Sequence, residues 1–215
     1  MALLPTLGRV LVNYRHAATA SGRSTGNVDV RPSRRPQLSS SLWVRLSGVT
    51  RTDTPDSWDE RSTLLAMLQY TRDTAAEKCR GLGDELARSA PLASSPLTTV
   101  GGVVSHMRWV EHSWVENRFI DGPDLGPWTE ASPDQEFIDG ASTSLTVVLQ
   151  DYTAQAQRTD AIVAEHDLDD RSALPLSSGV HPTLRWVLLH LIEENARHNG
   201  HLDILREIAD GATGD

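Results

Sequence analysis

"TLRWVLLHLIEENARHNGHLDILREIAD", residues 183–210, decides how the rest of the chain is read. Leu188, Leu189, Ile192, Leu202, Leu205 and Ile208 recur at helical spacing and form a wide apolar arc. Its middle, residues 190–201, nevertheless carries three histidines and two glutamates in twelve positions. His190, Glu194 and His198 stand four residues apart, and His201 follows three after His198. Positions four apart project from nearly the same side of a helix, about 6 Å from one another. Two of them can therefore hold one ion without bending the backbone. Imidazole nitrogen with carboxylate oxygen suits a borderline divalent metal: zinc first, with nickel and iron as alternatives. The same spacing is also common on solvated helix faces, where it means only a surface pair. Here the arc is wide enough that some of these groups should face inward, and a buried carboxylate or imidazole needs a partner.

Three more amphipathic segments precede this one. "PDSWDERSTLLAMLQYTRDTAAEKCRGLG", residues 55–83, has Ser57 and Glu60 at capping-box spacing. Its stripe runs through Leu64, Leu65, Leu68, Ala75, Cys79 and Leu82, and Gly81 and Gly83 mark its end. "TTVGGVVSHMRWVEHSWVENRFI", residues 98–120, has Thr98 or Thr99 as N-cap and a stripe of Val103, Met107, Val110, Trp114 and Phe119. Asp121, Gly122 and Pro123 stop it. A third helix is expected over roughly residues 133–166, with Gly140 as its weak point and a stripe from Leu145 to Val163. The fourth is expected to open at Pro182, where a missing N–H costs nothing, and to stop at Gly211. No strand alternation appears in the body. Four long amphipathic helices imply an all-α, four-helix bundle over residues 52–215. The long links leave its topology open.

The chain has 215 residues and a net charge of −9, unevenly spread. Residues 1–51 hold eight arginines and one acid, Asp29, whereas the remainder holds 12 bases and 28 acids. This basic arm has no sustained helical or strand period and cannot bury enough apolar surface to offset its ordering entropy. Three readings fit it: a disordered tail, an extension upstream of a true start near Val49, or a transit-like presequence. The acidic body is a poor nucleic-acid binder, because phosphate neutralisation needs clustered Lys and Arg. No apolar run approaches the roughly 18 residues of a membrane helix. A single cysteine, Cys79, excludes an internal disulfide and suits a reducing cytoplasm. Phosphate-binding loops, dinucleotide glycine fingerprints, G-x-S-x-G and Cys-x-x-C are all missing from the sequence.

A pair of ligands from one helix cannot enclose an ion, so a third must come from elsewhere. His106, among Val103, Met107 and Val110 near the apolar arc of the second helix, is the candidate. A lone histidine there is otherwise read as a satisfied core residue.

"HMRWVEHSW" on the second helix, with "TLRWVLLHLIEENARHNGHLDILRE" on the fourth, resembles the DinB-like family of four-helix-bundle metalloproteins. The matching branch includes thiol-dependent enzymes such as mycothiol-dependent maleylpyruvate isomerase. The resemblance spans roughly residues 52–210. It implies a DinB-like bundle in which His106, Glu194 and His198 bind a divalent metal. Many members have histidine at the first of the two fourth-helix positions, whereas this chain has Glu194, as in the mycothiol-dependent branch. His201 falls where many relatives carry glutamine, which implies a role beside the ligands or against substrate. His190 is expected beside the ligands too, and ranks second as a ligand.

Three protein ligands with open positions is a catalytic arrangement, since structural zinc is closed by four. The resemblance implies mycothiol or a similar low-molecular-weight thiol as co-substrate and a small electrophile as its partner. A thiol of pKa about 8.5 is mostly protonated at neutral pH, and an ion would deprotonate and position it. The expected activity is a metal-dependent thiol transferase or isomerase, in a monomer or homodimer that binds neither nucleic acid nor membrane. Two alternatives stand: a non-catalytic metal-binding stress or accessory bundle, and a hydrolase that uses bound water. Among the remaining polar groups, Glu111 is read first as a solvated helix-face residue and second as one that orients a ligand or acts as a base. Glu193 should point to water. Arg206 is expected to pair with a substrate group or with Asp203, and Trp109 to line a pocket mouth or pack in the core. Cys79 is expected to be a buried, inert thiol.

Overall fold

The structure is a computed structural model that describes residues 51–214, so the expectations for the basic arm lie outside the described residues except at Arg51. In chain order the helices are α1 (Glu60–Lys78), α2 (Asp84–Arg88), α3 (Val100–Glu111), α4 (Gln135–Ser142), α5 (Leu145–Ala164) and α6 (Leu184–Asp210). Directly after α3 the chain continues as a π-helix, His112–Phe119. Among the described residues the only β pairing is an isolated bridge between Arg171 and Thr183. The all-α expectation holds. The long elements pack as α1 along α6 and α3 along α5, with α3 also against α6 to join the pairs. None of the described helices is long and apolar enough to cross a membrane.

Local chemistry sets most boundaries, with three corrections. The N-cap of α1 is Asp59, whose carboxylate accepts from the Ser62 backbone N–H at 2.9 Å. Ser57 therefore lies two residues too early to cap it. Those bonds from Ser62, with a further one from Ser57, hold the Asp59 carboxyl down at about 2. Thr99 caps α3 through Gly102 N–H, as one of the two expected threonines. The expected third helix is two: it breaks at Thr143 and Ser144, while Gly140 sits inside α4. Gly140 is needed for close approach instead. A Cβ on Gly101 would lie 2.5 Å from the Gly140 carbonyl oxygen, and one on Gly140 would lie 2.6 Å from Ser105 Cβ. The two glycines thus let α4 cross α3 backbone to backbone. Pro182 precedes α6 rather than opening it, because the Thr183 hydroxyl takes the cap position. At the other end Gly211 adopts φ +80° and terminates the helix as expected.

The π-helical turn solves a register problem. Met107, Glu111, Val115 and Phe119 are all buried and recur every four residues. In an α-helix each step of four overshoots a full turn by about 40°, so the stripe would rotate off its partner. Wider i→i+5 winding turns less per residue and cancels that drift, which keeps Phe119 in line with Met107.

Two apolar cores result. One gathers Ala75, Cys79, Val103, Val104, Met107, Val148, Leu149, Leu202 and Leu205. The other gathers Leu64, Leu68, Val115, Phe119, Val163, Leu184, Val187, Leu188 and Leu191. Between them lies a buried polar layer containing Thr71, Arg72, His106, Glu111, Gln155, Glu194, Asn195, His198 and Asn199. The inward stripe of α6 shows why. It runs Leu184, Leu188, Leu191, Asn195, His198, Leu202 and Leu205, a repeat of four and three in which the polar residues occupy core positions. Leu189 and Ile208 are half-exposed, so the buried arc is narrower than the sequence implies.

Candidate metal centre

His106 reaches the polar layer from α3, and Glu194 and His198 reach it from successive turns of α6. The donor atoms these three can offer all lie within 4.8 Å of one another, and all three residues are buried. His198 Nε2 stands 3.3 Å from Glu194 Oε2. Two ligands about 2.05 Å from a tetrahedral ion are separated by about 3.4 Å, so that edge already has the required span. His198 is completely buried, yet its Nε2 makes no hydrogen bond of acceptable geometry. Buried imidazole nitrogens are almost always satisfied. An ion between the three side chains would satisfy it, so the donor set fits a borderline divalent metal.

Neighbours set the state of each group. His106 Nδ1 faces Glu136 Oε1 at 3.3 Å, and its ring stacks on Phe137 with centroids 4.7 Å apart and planes 17° apart. His198 Nδ1 faces His201 Nδ1 at 3.3 Å, so one nitrogen of that pair donates and the other accepts. Burial would raise the Glu194 carboxyl, but contact with His198 and hydrogen bonding from Arg197 outweigh it and hold the group down at about 2. Glu194 is therefore an anion at any physiological pH. The His201 imidazole is pushed down by burial and by His198, and His190 chiefly by burial, which favours their neutral forms. Asn199 donates to the Thr71 carbonyl at 2.8 Å and fixes the rotation of α6 against α1 at this level.

The other residues singled out in the sequence divide. His190 lies beside the trio, with Nε2 3.9 Å from Glu194 Oε1 and its ring stacked on Trp186 at 5.1 Å. His190, Glu193 and Glu194 form a second grouping with ligand-like spacing, but Glu193 is exposed and pairs with Arg197. Glu111 is no solvated residue. It is completely buried and takes a bidentate pair from Arg72, Nε to Oε1 at 2.9 Å and Nη2 to Oε2 at 2.7 Å. That pairing outweighs burial and holds the Arg72 guanidinium well above its ordinary range. Arg206 pairs with Asp210 and caps the end of α1 by donating to the Lys78 and Arg80 carbonyls at 2.9 and 2.8 Å. Asp203 takes Lys78 instead. Trp109 packs edge-on against His112 and Trp128, carries Arg108 over its face, and borders a cavity of about 260 Å³ with Ser105, Asp139 and Asp151. Cys79 is buried and its thiol is pushed up to about 12, which makes it inert.

Sequence reasoning missed Glu136, Phe137, Arg72 and Arg197. Glu136 and Phe137 sit on a short helix whose approach depends on its own Gly140 meeting Gly101 of α3, and no spacing on the chain announces it. Arg197 was the most legible of the four, three residues after Glu194 on the same helix.

The family model described as mycothiol-S-transferase matches residues 63–211, which take in every helix from the first turn of α1 onward. The chain belongs to the mycothiol-S-transferase family. No curated protein matches it. Membership spans His106, Glu194 and His198 together and leaves out the basic arm, in line with the DinB-like resemblance.

Proposed function

We propose that this chain is a metal-dependent S-transferase that joins mycothiol, or a similar low-molecular-weight thiol, to a small electrophile. His106, Glu194 and His198 hold the metal, zinc before nickel or iron, and residues 52–215 are the working unit. The reading places the reaction in the cytoplasm and asks nothing of a second chain, so monomer and homodimer suit it equally. The observation that carries it is the buried, unsatisfied Nε2 of His198 between Glu194 and His106 in a member of this family.

Bound there, a divalent cation would lower the pKa of a thiol and favour the thiolate. The protein's own groups do the rest. Glu194, anionic and tied to Arg197, reduces the positive charge of the site relative to three imidazoles, so the sulfur keeps more of its nucleophilicity. His201 and Glu136 hold the far nitrogens of His198 and His106. In the overall transfer the thiol S–H bond breaks, a sulfur–carbon bond forms, and the proton departs with the electrophile's leaving group. For an unsaturated acid the proton is instead retained in the adduct, whose later elimination would give isomerisation.

The non-catalytic reading is the alternative. Neither the 260 Å³ cavity nor a larger one of about 790 Å³ between α1 and α5 is lined by any of the three candidate ligands. Turnover decides between the readings. Wild type should consume a model electrophile only with both thiol and metal present, and His106→Ala and His198→Ala should lose zinc and activity together. Equal zinc in all three proteins would sink the site, and turnover without thiol would put hydrolysis ahead.

A further inference from the structure

We infer that Glu136, on the short helix α4, is a positioning residue for the metal centre, and that α4 exists in this bundle to deliver it. The inference rests on the proposed metal site and adds a residue to it.

The two α6 ligands arrive with their spacing built into one helix, but His106 arrives alone from α3. A lone imidazole has two uncertainties that the backbone does not settle: ring rotation and tautomer. In one neutral tautomer Nε2 carries the lone pair, and in the other it carries a hydrogen where an ion would have to sit. α4 addresses both. Phe137 stacks on the His106 ring at 4.7 Å and limits its rotation. Glu136, completely buried, puts Oε1 3.3 Å from Nδ1. At that distance the carboxylate is placed to accept from Nδ1 in the tautomer that leaves the lone pair on Nε2.

The packing is arranged to permit this. Glu136 precedes Gly140 by one turn on the same face of α4, and Gly140 meets Gly101 backbone to backbone. Gly101 in turn stands five residues before His106 on α3. The glycine crossing and the Glu136 contact are thus successive points along one helix–helix seam. Any side chain at either glycine would lift the carboxylate off the histidine. A carboxylate buried only for packing would have been cheaper to replace by leucine.

The test uses the full-length protein. Zinc affinity is measured by competition with a chromophoric chelator for wild type, Glu136→Gln and Glu136→Ala, alongside the visible spectrum of the cobalt(II)-substituted proteins and the Tm of the metal-free forms. The inference expects Glu136→Gln to bind zinc about 10- to 100-fold more weakly, with altered cobalt bands and a metal-free Tm close to wild type. Glu136→Ala should bind no better than the glutamine variant. A purely structural Glu136 predicts the reverse: a lowered Tm, zinc affinity within about twofold of wild type, and an unchanged cobalt spectrum. That result would overturn the inference while leaving the three-ligand site intact. Should Glu136→Ala fail to fold, the near-isosteric Glu136→Gln alone decides. Failure of wild type to bind zinc at all would instead remove the site on which the inference stands.

Discussion

Two polar clusters are buried in the same layer, five residues apart on α3, and they are built on opposite terms. Around Glu111 the charges are answered: Arg72 gives it two bonds, and the remaining guanidinium nitrogen reaches Asp160 at 2.8 Å. Around His106 the partners are arranged to leave something over. Glu136 and His201 engage one nitrogen each of His106 and His198, while His198 Nε2 faces Glu194 without a hydrogen bond. A buried cluster that closes on itself stabilises or specifies the fold, and one left short of a partner marks a place for a ligand.

The largest expected effect separates the two directly. His198→Ala should take bound zinc from about one per chain to nearly none, and the Tm of its metal-free form should fall less than that of Glu111→Ala, because it removes a neutral ring and its contact with His201 without stranding a buried charge. Elemental analysis and thermal melts of the same samples check it. Glu111→Ala should do the opposite. It strands the Arg72 charge in the core and should cost about 3–5 kcal/mol of stability, read by urea denaturation, with zinc retained by whatever remains folded. Loss of zinc without loss of stability would show that the two clusters are one.

Gly140→Ala should sit between these extremes. Its methyl would meet Ser105 Cβ at 2.6 Å and the Gly101 backbone, which cannot swing aside. A cost of about 1–3 kcal/mol is expected, together with weaker zinc binding as α4 lifts Glu136 and Phe137 from His106. Smallest is the exposed Asp59 cap. Its carboxyl is held below the ordinary 3.8, at about 2, so its ionised contribution is complete above 3.8 and is lost as pH falls through 2. Asp59→Asn keeps a capping oxygen but not that titration. The Tm gap between it and wild type should therefore narrow as pH falls from about 4 to about 2.

Much of this was legible along the chain, for definite reasons. The apolar stripes of α1, α3 and α5 and the stop at Gly211 depend on local periodicity and on one residue's backbone freedom, which sequence displays. The grouping of Glu194 with His198 is also local, since both lie on one helix. What escaped was one local choice of cap and the contacts between helices. Ser57 lost the cap to Asp59, whose carboxylate sits nearer the exposed N–H groups. Glu111 looked solvated because its answering charge, Arg72, lies 39 residues away. Leu189 and Ile208 looked buried because a wide apolar arc does not say how much of itself a partner will cover.

By itself the sequence determined an all-α bundle, the faces of its helices, and the placing of Glu194 and His198 on one side of α6, because spacing of 3.6 residues per turn converts order into direction. Tertiary structure alone decided which polar side chains are answered. It brought His106 across from α3 to Glu194 and His198, gave Arg72 to Glu111, and used two glycines to bring Glu136 within reach of His106. Partnership between helices depends on their crossing points and relative rotation, and those are settled only when the whole core packs.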